Sequence, residues 1–457
     1  MSPRHDSTPK NKPMESIVND RTSTGRRGQS PDIHLNLNVR GLGQSATLAI
    51  NERSAELAAS GRHVFRFGLG QSPFPVPEPV ENELKSNAHQ KDYLPVKGLR
   101  TLREAVADYH RRTQGIEVNA DDVLIGPGSK ELMFILQLVY YGDLVIPTPS
   151  WVSYAPQAHI IGRQIRWLDT RAENDWRLLP EELEKLCKKD PTRPRILILN
   201  YPNNPTGDTY TADELKALAA VARRYKVVLL SDEIYGGVHH RGQHVSAARF
   251  YPEGTIISGG LSKWCGAGGW RLGTFAFPRG LRWLLDAMAV VASETFTSTA
   301  APIQYAAVRG FSGGLEIERY LNQSRRILRA LGNHCWQQLT SKAGCGMPKP
   351  KGGFYLFPDF SRHREAFATK GIRTSADLCD RILEDTGVAM LPGSAFGRPE
   401  TELSVRMAYV DFDGARALAA AEEPEFQQEL DLAFLQTYCP NVTDGIDRLV
   451  EWVNANG

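Results

Sequence analysis

From about residue 100 to 310 the chain alternates short apolar runs with helix-like stretches, and this alternation limits what it can fold into more than any other feature. Strands read at 122–125, 143–146, 195–200, 227–231, 254–258 and 274–277, with helices between them at 130–139 and 212–225. Strands separated by helical crossovers lie parallel and have both faces covered, so this region is an α/β domain with a mostly parallel sheet. After a helical stretch at 314–340 the pattern changes. Segments 354–357, 388–391 and 403–407 read as strands and 375–384 as a helix, which points to a second, smaller α+β domain. The Ala- and Glu-rich segment 415–440 reads as a helical insertion that enlarges it.

Composition excludes several classes of protein. With 54 Lys and Arg against 52 Asp and Glu the formal charge is +2, which leaves no footprint for a polyanion such as nucleic acid. No apolar run approaches the roughly 18 residues of a membrane span. The six cysteines, at 187, 265, 335, 345, 379 and 439, contain no Cys-x-x-Cys pair and no metal-ligand spacing. Reduced thiols in a cytoplasmic protein are the expectation. Residues 1–31 are polar and nearly free of large apolar side chains, so they are expected to be disordered.

Three segments carry chemistry. Gly259-Gly260-Leu261-Ser262-Lys263 follows a strand, and Arg271 comes eight residues after the lysine. A lysine on a glycine-rich turn can reach a bound aldehyde, and burial beside other cations makes its amine nucleophilic. The same residues also read as a surface lysine beside a loop. Asn200-Tyr201-Pro202-Asn203-Asn204-Pro205-Thr206-Gly207 stands at the carboxyl end of another strand, where open α/β sheets bind ligands, although a polar turn has the same composition. A third strand ends in Asp232, with Tyr235 three residues on. An acid there can bind a metal, a ribose or a protonated ring nitrogen, or simply cap a helix.

In this order and spacing the three segments resemble the class I/II aminotransferases of pyridoxal-phosphate fold type I, particularly the bacterial aspartate/prephenate branch. Further landmarks of that family follow in order: Ser45-Ala46-Thr47, Gly70-Gln71-Ser72-Pro73-Phe74, Tyr93 with Gly98, Gly128-Ser129-Lys130, and Pro149-Ser150-Trp151-Val152-Ser153-Tyr154. Gly352-Gly353-Phe354-Tyr355, Leu391-Pro392-Gly393 and Arg406 complete the set. The match runs from about residue 40 to the C-terminus. It implies a seven-stranded-type sheet in the large domain and a small domain built from both chain ends. The divisions expected are a tail at 1–31, an arm and part of the small domain at 32–73, a large cofactor domain at 74–320 and the small C-terminal domain at 321–457.

The resemblance also implies roles. Lys263 is the Schiff-base lysine for pyridoxal 5'-phosphate and moves the proton that makes the reaction a transamination. Asp232 sits against the pyridine nitrogen and keeps it protonated. Tyr235 and Asn204 donate to the ring oxygen, and Trp151 stacks on the ring. Ser129, Lys130, Ser262 and Arg271 hold the phosphate at a helix N-terminus. Tyr93 reaches the phosphate of a neighbouring subunit, so a homodimer with shared sites is implied. Arg406, with the backbone of Gly70, holds the substrate α-carboxylate. Gly260 departs from the serine or other small residue that many relatives carry, leaving Ser262 as the available hydroxyl.

Thr47 and Lys130 match positions that contact a distal carboxylate in the aspartate/prephenate branch, so the expected substrates are aspartate or glutamate, or an aromatic amino acid, with a 2-keto acid partner. Relatives on the same scaffold eliminate sulfur from cysteine conjugates, decarboxylate, or close an aminocyclopropane ring, and a lyase or decarboxylase is the alternative. A non-catalytic regulator would need a DNA-binding domain ahead of the fold, and about 31 polar residues are too few for one. Deleting residues 1–31 is expected to leave steady-state activity unchanged; lost activity would make the tail part of the enzyme.

Overall fold

A computed structural model of the chain describes residues 34–43 and 46–457, without the side chains of residues 46 and 47. The tail at 1–31, Ser45 and the side chain of Thr47 therefore lie outside the described residues.

Among the described residues, twelve strands form three sheets. In chain order they are β1 (Phe65–Arg66), β2 (Val123–Gly126), β3 (Asp143–Thr148), β4 (Ile165–Asp169), β5 (Arg195–Asn200), β6 (Val228–Asp232), β7 (Thr255–Gly260), β8 (Gly273–Ala276), β9 (Tyr355–Leu356), β10 (Val388–Ala389), β11 (Leu391–Pro392) and β12 (Val405–Ala408). Seven make one sheet in the order β2-β8-β7-β6-β5-β3-β4. It is parallel except at β8, which runs antiparallel to both neighbours. Every residue of β5 and β6 is buried, as near-continuous apolar runs in a doubly covered sheet require. Side-chain alternation divides that burial: Ile196, Ile198 and Leu230 pack into one core, and Leu197, Leu199 and Leu229 into the core on the opposite face. The helix Ala212–Arg224 starts where Thr211 and Glu214 form a reciprocal capping box.

The two small sheets use both ends of the described chain. Phe65 pairs in parallel with Val388, and Ala408 N donates to Phe67 O at 2.8 Å. The order β11-β12-β9 completes this layer against the long helix Leu315–Ser341 and the C-terminal helix Pro440–Asn456. The insertion forms helices Gly414–Ala421 and Leu432–Tyr438. Arg326 ties it to the long helix by donating to the carbonyls of Ala421, Phe426 and Gln427. These bonds hold the segment beside the long helix.

Two elements differ from the sequence reading. The apolar run 388–391 is not one strand: it divides at Met390, with Val388–Ala389 pairing with β1 and Leu391–Pro392 pairing with β12. β4 was not anticipated, because Ile165–Asp169 is an edge strand whose exposed Arg166 and Trp167 break the apolar run that marked the other strands. No helix among the described residues is long and apolar enough to cross a membrane.

β8 crosses tightly beneath the helix Ser129–Val139. A Cβ on Gly273 would overlap Ser129 N and Gly128 C, both backbone atoms with no room to move. Gly273→Ala is expected to destabilise the protein by about 2–3 kcal/mol, as overpacking of a tight site does, measured by urea unfolding; an unchanged midpoint would contradict this close approach.

Candidate active site

Strand register builds the site. Asn200 at the end of β5 lies opposite Asp232 at the end of β6, which lies opposite Ser258 in β7. Three polar residues are thus carried to one carboxyl edge of the sheet, where loops must leave it and a crevice opens. Asn200 braces that edge: its Nδ2 donates to Asp232 O at 3.0 Å, and its Oδ1 accepts from Asn204 N at 2.8 Å.

Beyond the edge is a cavity of about 330 Å³. Among its lining residues Asp232 is the one carboxylate, against the cations Lys130, Lys263, Arg271 and Arg406. Asp232 is 3% exposed and forms no ion pair with a cation among the described residues, although its charge reaches Lys263. Tyr154 Oη donates to its Oδ2 at 2.5 Å and Ser258 Oγ to its Oδ1 at 3.3 Å. Burial raises its pKa to about 6, against the opposing pull of these hydrogen bonds.

Lys263 Nζ donates to Gly70 O at 2.8 Å and lies 5.5 Å from the centre of the Tyr235 ring. Lys263 lines the cavity and is half-buried. Burial first, then Arg406 and Arg271, lower its pKa to about 8. Tyr235 Oη and Tyr355 Oη share a hydrogen bond at 2.7 Å, and burial raises both phenols. Tyr355 stands so close to Gly70 that a Cβ there would overlap its hydroxyl.

At one end of the cavity the helix Ser129–Val139 begins after Gly128 with no side chain capping it, so its first N–H groups remain available for an anion. Arg271 stands beside it with a left-handed φ of 54° and donates to Gly268 O at 2.8 Å. A Cβ on Gly128 would overlap its guanidinium. Ser129, Ser262 and Lys130 line the same cavity, and Lys130 Nζ lies 5.4 Å from the centre of the Trp151 ring. Elsewhere in the cavity Arg406 is 2% exposed, lies 4.9 Å from the Tyr355 ring centre and 5.2 Å from that of Phe396, and donates to Asn204 Oδ1 at 3.4 Å and to Gly68 O. Its Nε has no partner. A buried guanidinium with an unfilled donor and no carboxylate is a seat for a carboxylate ligand.

The structure brings together Gly70, Ser129, Lys130, Trp151, Asn204, Asp232, Tyr235, Ser262, Lys263, Arg271 and Arg406. Tyr93 is apart from them, 89% exposed, and Thr47 lies outside the described side chains. Gly260 has φ 154° and faces the Leu272 carbonyl at 2.6 Å from where a Cβ would sit, so a serine there would strain this turn. Tyr154, Ser258, Asn200 and Tyr355 are the residues that sequence reasoning gave no role. Tyr154 and Tyr355 stand inside motifs quoted above, but partners 78 and 120 residues away are not legible in a linear pattern.

The cavity thus gathers a buried acid, an uncapped helix N-terminus, an arginine and a lysine, a lining suited to a ligand that carries both signs of charge. The chain belongs to the class I and II aminotransferases: that family model matches residues 62–421. It is 35% identical to an aspartate aminotransferase of Geobacillus stearothermophilus over 381 residues, covering 81% of this chain and 93% of that one. An aspartate aminotransferase of Bacillus subtilis is 32% identical over 380 residues, covering 81% and 93%. The solved aspartate aminotransferase of Thermus thermophilus with maleate superposes with a TM-score of 0.78 at 26% identity, covering 92% of this chain and all of that one.

Raising the Asp232 pKa from 3.8 to about 6 favours its protonated form in the cofactor-free fold. The stability this group contributes is fully present below about pH 4 and is lost as pH rises through about 6, a change of about 3 kcal/mol. Cofactor-free Asp232→Asn is therefore expected to melt above the cofactor-free wild type at about pH 8, with the gap closing at about pH 4. Equal melting temperatures at both pH values would show that the carboxylate bears no burial cost.

Proposed function

We propose that this aminotransferase binds pyridoxal 5'-phosphate in the 330 Å³ cavity and moves the amino group of a dicarboxylic amino acid, aspartate or glutamate, to a 2-keto acid. The observation that carries the cofactor assignment is the single buried carboxylate without an ion-pair partner, set apart from an uncapped helix N-terminus and Arg271. Bound there, the cofactor would supply an aldehyde carbon and an electron-accepting ring. Asp232 would hold the ring nitrogen protonated, supplying the negative charge that its burial otherwise penalises. Asn204 and Tyr235 would donate to the ring oxygen, and Trp151 would cover one face. Ser129, Ser262 and Arg271 would hold the phosphate.

The amine of Lys263 would hold the cofactor and, once released, take the proton from the substrate α-carbon. Its pKa of about 8 leaves a usable fraction of free amine at neutral pH, which an ordinary lysine at 10.5 does not. Arg406, fixed between two aromatic rings, would orient the α-carboxylate. Lys130, facing the cavity near Trp151, would take the distal carboxylate with Thr47. The Thermus relative was solved with maleate, a dicarboxylate, which supports this class.

Further proposals follow from the same reading. Tyr93, exposed on this chain, would reach the phosphate of a second subunit in a homodimer. Residues 74–320 would form the large domain, and 32–73 with 321–457 the small one. Six cysteines without a disulfide accord with the reducing cytoplasm.

Lys263→Ala is expected to abolish transamination and the visible absorption of the bound cofactor; retained turnover would overturn the assignment. Lys130→Ala is expected to raise KM for aspartate about 10- to 100-fold, the loss of one hydrogen bond to a charged group. An unchanged KM for aspartate in steady-state assays would remove Lys130 from the substrate site.

A further inference from the structure

A second cavity, of about 430 Å³, opens on the far side of the loop that carries Asn204. Its walls come from segments 209–212 and 239–245 beside the large sheet, from the long helix at Arg329 and Asn333, and from the strap 349–351 that leads into β9. Four cations line it, Arg241, Arg329, Lys349 and Lys351, and among the described residues no carboxylate does. Lys351 pairs with the buried Asp208 behind it, at 2.6 Å. Arg241, Arg329 and Lys349 form no ion pair with any described carboxylate. Cations gathered in a concave site without acids leave a local field that an anion must satisfy.

Two buried histidines add a second observation. His239 is 9% exposed, and its Nδ1 accepts from the backbone N–H groups of Arg241 and Gln243, each at 3.2 Å. That fixes the neutral tautomer with the proton on Nε2, and no described acceptor meets it. His240, 4% exposed, is held by Gly353 O at 3.1 Å. Burial together with the surrounding cations keeps both rings neutral at pH 7, so the site offers fixed cations and a neutral donor.

We propose that this cavity binds a small organic polyanion, a metabolite bearing two or more phosphate or carboxylate groups, and that its occupancy is felt in the catalytic cavity. The connection is the strap. Lys351 N donates to Gly207 O at 2.8 Å, Gly353 N to Val238 O at 3.1 Å, and His240 N to Lys351 O at 2.9 Å. Gly207 closes the loop that carries Asn204, and two residues after Gly353 stands Tyr355, whose hydroxyl bonds to that of Tyr235. A ligand bridging Arg241 and Arg329 to the strap lysines would fix the strap against both structural layers and shift Tyr355 and Asn204 together.

The experiment titrates the cofactor-loaded enzyme with pyrophosphate and, separately, with citrate by isothermal calorimetry at low salt. Wild type is expected to bind at least one probe with a Kd of about 1 mM or tighter, and the preferred probe identifies phosphate or carboxylate as the recognised group. Arg241→Gln and Arg329→Gln, both exposed and outside the catalytic cavity, are each expected to weaken binding at least about tenfold without changing activity measured without the probe. Arg329→Lys, which keeps the charge, is expected to retain most of the affinity. Absence of saturable binding by either probe, or an unchanged Kd in both glutamine variants, overturns the site. A wild-type KM that the bound probe does not move overturns the coupling.

Discussion

The rest of the site depends on one costly arrangement: a carboxylate, Asp232, buried at the end of β6 without an ion-pair partner. Its position comes from strand register, which places it between Asn200 and Ser258. Taking a charge out of water there is disfavoured, and Tyr154 and Ser258 offset only part of the cost. The cations that could have neutralised it line the same cavity without pairing to it, and Arg406 Nε is left without a partner. Such an arrangement is a poor way to stabilise an empty protein and a good way to select a ligand that carries both signs of charge.

Close backbone approach holds the arrangement. Gly70 admits the hydroxyl of Tyr355, Gly128 admits the Arg271 guanidinium, and Gly273 admits the start of the helix that faces the cavity. Each brings together segments far apart in the chain: the arm at 70, the sheet at 128 and 273, and the strap at 355. Lys263 bonds to Gly70 O and lies near Tyr235, so the reactive amine is positioned by the arm as well as by its own loop. A small layer built from both ends of the described chain is therefore part of the active site's geometry.

Much of this was legible in the linear order of residues. The apolar runs that became β5 and β6 are buried on both faces and so carry no ambiguity of environment. The glycine-rich lysine turn and the Asn-Pro loop are dictated by the backbone paths they must follow. What was not legible has a common cause. β4 is an edge strand with one face in water, so Arg166 and Trp167 disguise it. The run 388–391 has uniform apolar character but serves two sheets, and only pairing partners reveal the break. Tyr154 and Tyr355 act through hydroxyl contacts with residues distant in sequence.

The sequence by itself determined the α/β class, the family and the identity of the lysine, acid and arginines that line the cavity, because local backbone geometry and residue chemistry are short-range properties. Tertiary structure alone decided which groups are unpaired, how far Asp232 and Lys263 are displaced from their ordinary pKa values, and that cations from the sheet, the long helix and the strap converge on a second cavity. Those outcomes depend on burial and on distances across the fold, and neither is encoded in spacing along the chain.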